Sequence, residues 1–222
     1  MPELTAFLSL QQLADSALPI GGASHSFGLE SLAEAGLLHP DNLERFLADY
    51  LEETGRLEAC YCFCSCNLSG SLDEWFGWNA ELGARKLARE SREGSAAMGR
   101  RFLRLAAHVS GLELLARAVE RAGDEVHLAA CFGLVAGALG LDAELATAAY
   151  LQQSVTALVS GCQRLMPLGQ TRAQEILWEL KPAISRAVAE APRGARRVGV
   201  FTPLLDVVSA CHPSLHTRLF MS

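Results

Sequence analysis

The stretch Asp41-Asn42-Leu43-Glu44-Arg45-Phe46-Leu47-Ala48-Asp49-Tyr50-Leu51 sets the class of the fold. Leu43, Phe46, Leu47, Tyr50 and Leu51 recur at intervals of three and four, so on a helix they line up as one apolar stripe. Asp41, after Pro40, is the expected N-cap, and Glu44 three residues later completes a capping-box arrangement. The same period continues in both directions along the chain. No series of alternating, β-branched strands separated by turns interrupts it. The expected fold is therefore all-α, a single helical-bundle domain with an extended C-terminal tail.

Toward the N-terminus, Leu4, Phe7, Leu8, Leu10, Leu13 and Ala14 keep helical spacing up to the break Ala17-Leu18-Pro19-Ile20-Gly21-Gly22. There a proline that fixes φ is followed by two glycines that loosen the backbone. A helix over 26–35 is expected next, with Ser24 or Ser26 as N-cap and Gly36 as its end. Toward the C-terminus, Gly55 is placed to kink or split the element before a helix over 57–68. Ser71 with Glu74 then opens a charged amphipathic stretch reaching His108, with Gly83, Gly94 and Gly99 as weak points. Asp124 begins an apolar helix to Leu139, and Asp142 caps another that reaches Leu165. Gly133 and Gly137, four residues apart, would admit a close neighbouring helix. After the break Met166-Pro167-Leu168-Gly169 a helix over 171–191 is expected, kinked at Pro182, and 192–197 reads as a basic linker. The expected units are residues 1–197 and a tail over 198–222, in which 203–210 is the one helical candidate.

Half of the 222 residues are hydrophobic and the mean hydropathy is +0.18, which points to a large apolar area buried in a core or against a partner. A net charge of −6 disfavours nucleic acid as a ligand, because binding to phosphates rests on lysine and arginine displacing counterions. Basic residues do gather between Arg85 and Arg104, but Glu81, Glu90 and Glu93 are interleaved with them. No membrane span is expected, since the uncharged run 128–141 is 14 residues long and a bilayer needs about 20. No secretory signal is expected, since residues 1–15 have no basic start and reach Glu3 at once. Seven cysteines, an odd number in a chain of this size, read as free thiols in a reducing cytoplasm.

The run Cys60-Tyr61-Cys62-Phe63-Cys64-Ser65-Cys66 offers four thiols for a metal. On a helix, residues two apart point to nearly opposite sides, so Cys60 and Cys64 share one face and Cys62 and Cys66 the other. Small buried cysteines on a packed helix are the preferred reading, and a metal-binding carrier that uses Cys60–Cys66 with His25 is the alternative. No G-x-S-x-G, H-E-x-x-H or P-loop pattern occurs, and Cys211 beside His212 does not make a nucleophile pair, because sequence neighbours point apart. No enzyme is expected. At the C-terminus, Arg218-Leu219-Phe220 places a charge and two large apolar side chains where there is no local core. Such a tail either orders on a partner or folds back on its own helices.

Several blocks resemble one family. Leu13-Ala14-Asp15-Ser16-Ala17-Leu18-Pro19-Ile20-Gly21-Gly22 with Ser24-His25-Ser26-Phe27-Gly28-Leu29-Glu30 is similar to the N-terminal signature of the urease accessory protein UreF family. Lys86-Leu87-Ala88-Arg89-Glu90-Ser91-Arg92-Glu93, Pro167-Leu168-Gly169-Gln170-Thr171 and the ending His216-Thr217-Arg218-Leu219-Phe220 agree in the same order. The resemblance implies an all-α homodimer that binds UreD (also called UreH) and, through that complex, the GTPase UreG, to load nickel into apo-urease. It implies a tail, residues 198–222, ordered by UreD/UreH, and no cofactor or catalytic residue. By matching motif, the partner-contact candidates are Pro19, Gly21, Gly22, His25, Ser26, Gly28, Glu30, Pro167, Gly169, Gln170, Arg218, Leu219 and Phe220. Two positions depart from the pattern: Ala23 stands where an aromatic residue is frequent, and Met221 where the family often has Arg, removing up to five hydrogen-bond donors.

Overall fold

The computed structural model describes residues 2–194, 202–212 and 218–220. The 195–197 part of the expected linker, residues 198–201 of the tail, and His216, Thr217 and Met221 lie outside the described residues. Every regular element among those described is helical. In chain order the α-helices are α1 (Pro2–Leu13), α2 (Leu29–Glu34), α3 (Leu43–Tyr50), α4 (Arg56–Asn67), α5 (Leu72–Arg85) and α6 (Arg89–Ser110). They continue with α7 (Glu113–Arg121), α8 (Leu128–Ala138), α9 (Ala143–Leu165), α10 (Gln170–Glu179), α11 (Lys181–Glu190) and α12 (Pro203–Cys211). None of the described helices is long and apolar enough to cross a membrane.

Helices α4 and α8 form the centre, with α9 laid against both and α6 on the far side of α8. All residues of α8 from Leu128 to Ala136 are buried, which explains its nearly uninterrupted apolar sequence. The two central helices meet backbone to backbone. A Cβ at Gly133 would lie 2.0 Å from the Cys62 carbonyl oxygen, and one at Gly137 would lie 2.1 Å from that of Cys66. The expected close approach at these glycines is therefore present, and α4 supplies the partner. Next to it the buried Trp75 indole donates to the Ala130 carbonyl at 3.0 Å, which fixes α5 against α8.

The stripe of α3 is oriented as its period requires, with Leu43, Leu47 and Leu51 buried and Phe46 and Tyr50 packed against the core. Its N-cap differs. Asn42, not Asp41, occupies that position, and its side chain is used backward: Oδ1 accepts from His39 N–H and Nδ2 donates to Leu37 C=O, so it staples the preceding loop. Gly55 ends a single π-helical turn, Leu51–Gly55, that leads into α4 without a loop. Ser71 is the N-cap of α5 with an extended backbone, but its side chain makes no capping bond. Asp142 caps α9 as expected, its Oδ1 accepting from Leu145 N–H at 2.8 Å.

Several boundaries need correction. The helix expected over 26–35 is confined to Leu29–Glu34, because Phe27 and Gly28 both have positive φ. The stretch expected to run from Ser71 to His108 is two helices, broken at 86–88, where Lys86 turns inward to pair with Glu58. The apolar helix begins at Leu128 rather than Asp124, and a separate helix, α7, precedes it. The helix expected over 171–191 divides at Leu180, since Pro182 falls in the first turn of α11, where its missing N–H costs nothing. Finally, Leu4, Phe7 and Leu8 of α1 keep helical spacing yet lie exposed.

The connection into α8 is clipped by two side chains. Asn79 donates to Glu125 C=O and accepts from His127 N–H, at 2.7 and 2.8 Å, while Arg100 donates to Asp124 C=O. Gly99 leaves room for it, since a Cβ there would lie 2.0 Å from Val126 C=O. The clip buries the His127 ring completely, and neither ring nitrogen has a hydrogen-bond partner among the described residues. Burial, with help from Lys86, pushes its pKa down to about 4.

Gly133→Ala should destabilise the protein by about 1–3 kcal/mol or more in urea unfolding, because a backbone carbonyl must move. Gly77→Ala, a helical position with nothing within 4 Å, should be neutral or stabilising by up to about 1 kcal/mol. For His127, the unfolded chain takes up a proton near pH 6.5 that the folded chain resists until about 4. Stability should thus fall by up to about 3 kcal/mol as pH drops through that window. His127→Leu should flatten this part of the stability–pH curve.

Candidate functional site

Three of the sequence blocks meet around one buried carboxylate, Glu30. The consecutive positive φ angles of Phe27 and Gly28 turn the chain so that α2 begins with Glu30 pointing inward. Gly28 also sits under α12, where a Cβ would lie 2.9 Å from Ser209 Oγ and 3.1 Å from Val208 Cγ2. Glu30 Oε1 accepts from Leu219 N–H at 2.6 Å, and Oε2 accepts from Phe220 N–H at 3.2 Å. His212, at the end of α12, is fully buried between two carboxylates: Nε2 is 2.9 Å from Glu30 Oε2, and Nδ1 is 2.9 Å from Glu90 Oε2 on α6.

Burial works to raise the Glu30 pKa, but the hydrogen bonds from Leu219, His212 and Phe220 outweigh it and hold the carboxyl below its ordinary value. Arg164 of α9 completes the anchor. Its guanidinium lies 4.4 Å from the Phe220 ring centroid and donates to Leu219 C=O at 3.4 Å. Phe220 is therefore 5% exposed, whereas its neighbour Leu219, held only by its backbone, is 59% exposed.

Beside Phe220 lies a cavity of about 260 Å³ whose walls include Ile20, Gly22, His25 and Phe27 of the glycine-rich segment. Its floor holds a second buried ionic group. Lys86 pairs with Glu58 of α4, and Tyr150 of α9 donates to the other Glu58 oxygen at 2.6 Å. Burial works to raise the Glu58 pKa, but Lys86 and Tyr150 outweigh it and hold the group charged. This pair ties the break at 86–88 to the centre of the molecule. Gly21, with φ +85°, passes so close to Arg101 that a Cβ would lie 2.1 Å from Nη1, the atom that donates to Ile20 C=O. His25 is half-buried, its ring 5.9 Å from that of Phe27, and burial together with Arg101 lowers its pKa.

The candidates from the sequence thus divide. Gly21, Gly22, His25, Ser26, Gly28, Glu30, Leu219 and Phe220 gather around the anchor and cavity; Ser26 is buried there, and Arg218 is exposed at the anchor's edge. Pro19 lies exposed on the approach to it. Pro167, Gly169 and Gln170 are exposed on the separate turn between α9 and α10, where Leu168 is the buried member. Glu90, His212, Glu58 and Tyr150 were not among the candidates. The only advance signal for Glu90 was its place in the Lys86 to Glu93 block, and none of the other three lies in a matching block.

The arrangement holds the chain's own residues 218–220. The two carboxylates at His212 face opposite ring nitrogens, and among the described residues no three His, Cys, Asp or Glu side chains form a metal-ligating group. The four cysteines of α4 are split as helix geometry requires. Cys62 and Cys66 line the contact with α8 and α9, and burial pushes the Cys66 thiol up to about 11. Cys60 and Cys64 lie on the other side, the first buried and the second half-buried, and their mutual interaction raises the Cys60 pKa and lowers that of Cys64.

Residues 37–181 match the UreF family model. A urease accessory protein UreF of Paenarthrobacter aurescens (strain TC1) is 35% identical, over 97% of this chain and 97% of its own. The protein of the same name from Trichormus variabilis is 33% identical over 97% and 96%. Urease accessory protein F of Oryza sativa subsp. indica is 31% identical, covering 94% of this chain and 82% of the plant protein.

The anchor predicts its own pH dependence. Because the Glu30 pKa is lowered on folding, its contribution is complete above the ordinary value of 4.5 and is lost as pH falls through the lower folded value. Glu30→Ala at neutral pH should release the segment without acid. The readout is hydrogen exchange at the Leu219 and Phe220 amides: protected in the parent chain at pH 6, and at least tenfold faster in the variant.

Proposed function

This chain belongs to the UreF family of urease accessory proteins, and from that premise we propose that it is a non-catalytic scaffold of urease maturation that acts in the cytoplasm. In this reading it forms a homodimer, binds UreD/UreH through its C-terminal region, and through that complex recruits UreG, so that GTP hydrolysis and nickel release take place beside apo-urease.

The observation that carries the proposal is the anchor. Glu30, Glu90 and Phe220 come from three separate blocks of the sequence, and all three are spent on holding a short terminal segment against the body. What this arrangement presents outward is apolar: Leu204 and Val207 of α12, together with Leu219 and, near the cavity mouth, Leu87, are all more than half exposed. An apolar surface built on a charged, buried foundation suits a protein partner better than a small ligand.

Magnitudes favour a tail whose order the partner completes. Burying Phe220 contributes about 2–3 kcal/mol and its contact with Arg164 about 0.5–2 kcal/mol. Each residue held in one backbone conformation costs about 1–2 kcal/mol. In this reading residues 218–220 are already anchored, and UreD/UreH supplies the contacts that order the rest of the 198–222 tail. The exposed Leu4, Phe7 and Leu8 of α1 support a second apolar surface, for the homodimer. Positioning partners is all that is asked of the scaffold.

The test is size-exclusion chromatography with light scattering on this protein mixed with UreD/UreH from the same organism. The full chain should elute as a complex, and a chain ending at Thr217 should not. Val207→Glu, which alters the surface and leaves the anchor alone, should weaken the complex at least tenfold. Association that survives both changes would place the interface on the helical body instead. Hydrolysis of urea or GTP by the purified protein alone would contradict a scaffold.

A further inference from the structure

The cavity beside Phe220 runs along one face of α9. Tyr150, Gln153, Ala157 and Gly161 line it at intervals of three and four residues, so they stand one above another on the helix. Its two ends differ in chemistry. At the Tyr150 end lies the Glu58–Lys86 pair. At the Gly161 end a Cβ would lie 3.7 Å from the Phe220 ring, and Ile20, Phe27, Met98 and Leu158 add apolar wall.

At the polar end most groups are spent on one another. Lys86 and Tyr150 take the two oxygens of Glu58, and the Ser154 hydroxyl donates to Tyr150 C=O at 2.9 Å. Gln153 is the exception. It is 8% exposed, its Nε2 donates to Asp15 C=O at 3.4 Å, and its Oε1 has no hydrogen-bond partner among the described residues. A buried acceptor without a donor is costly, so the cavity lacks one hydrogen bond.

We propose that the cavity receives an aromatic side chain carrying one neutral hydrogen-bond donor, the phenol of a tyrosine or the indole of a tryptophan, presented by the protein that docks on α12 and Leu219. The source of the side chain rests on the scaffold reading; the ring and the donor are set by the cavity itself. A space of about 150 Å³ with apolar walls accepts benzene. At about 260 Å³ this one has room for a larger ring with a polar tip. The ring would lie against Met98, Leu158 and Phe220, and the tip would donate to Gln153 Oε1. A cationic tip would meet Lys86 and a carboxylate would meet Glu58, whereas a neutral donor opposes neither. A phenylalanine would fill the space and leave Oε1 unpaired. Leu87 and Leu205 stand among the lining residues, so the cavity is continuous with the exposed apolar surface of α12. Aromatic anchors seated in such pockets carry much of the affinity of protein interfaces.

The test is ligand-observed NMR titration of the full-length protein with p-cresol, 3-methylindole and toluene, the side-chain analogues of tyrosine, tryptophan and phenylalanine. The parent should bind the first two at least tenfold tighter than toluene, because a site with an unpaired acceptor rejects a ring that lacks the donor. Gln153→Met, of similar length and without the acceptor, should bind all three alike. Ala157→Phe, which puts a ring into the cavity from α9, should bind none. Both variants should keep the parent circular dichroism and the protection of the Leu219 and Phe220 amides. In complex with UreD/UreH the parent should take up p-cresol at least tenfold more weakly, a loss of about 1.4 kcal/mol or more, because the cavity is then filled. Toluene bound as tightly as p-cresol by the parent, a preference that survives in Gln153→Met, unimpaired binding in folded Ala157→Phe, or unchanged p-cresol binding in the complex would each overturn the proposal. The scaffold reading fails separately, on the absence of a complex when no probe is added.

Discussion

At the centre of the molecule, the carbonyl oxygens of Cys62 and Cys66 occupy the places where α8 has no side chains, at Gly133 and Gly137. Everything else is arranged around that contact. Because the two backbones touch, the surface of α4 that faces α8 can carry only small side chains, and cysteine and serine supply them. Because α8 is enclosed on every side, it is apolar around its circumference, and α5, α6 and α9 must pack on the same pair of helices. An alternating row of cysteines is thus first of all a consequence of close packing. Two of the four are consumed by it, and the other two are left as neighbours on the opposite face.

Charge inside this protein is used for positioning. Glu58 with Lys86 pins the turn between α5 and α6 to α4, and Glu30 with His212 and Glu90 pins the C-terminal segment to α2 and α6. A buried ion pair such as Glu58 with Lys86 adds little net stability over apolar residues of the same size, but removing one partner leaves a costly unpaired charge. Its benefit is that it admits one arrangement.

The two groups also share a wall. The cavity beside Phe220 is lined by the glycine-rich segment above and by Glu58, Lys86 and Tyr150 below. The membership of the chain in a family of urease accessory proteins accords with this construction, in which the buried polar residues hold segments and none is placed to attack a bond.

Much of the architecture could be read from the sequence. The stripe Leu43, Leu47, Leu51, the cap at Asp142, the break at Pro167 and the close approach at Gly133 and Gly137 are all local statements, fixed by helical period, by the hydrogen-bonding reach of a short side chain, or by the absence of a Cβ. The helix boundaries at 86–88 and at Leu128 could not, because there the chain obeys distant groups: Lys86 turns in to meet Glu58, and Asn79 with Arg100 ties down the residues before α8. The site divides in the same way. Glu30 and Phe220 stood out by pattern, while His212 and Glu58 did not, since a buried polar group is recognisable only once its partner is in place. The sequence by itself determined an all-helical chain, its most crowded crossing and the family to which it belongs. Only the tertiary structure decided that residues 182 positions apart, Glu30 and His212, close on one another, because a buried carboxylate is tolerable only where the fold brings hydrogen-bonding partners to it, here at 2.9 Å.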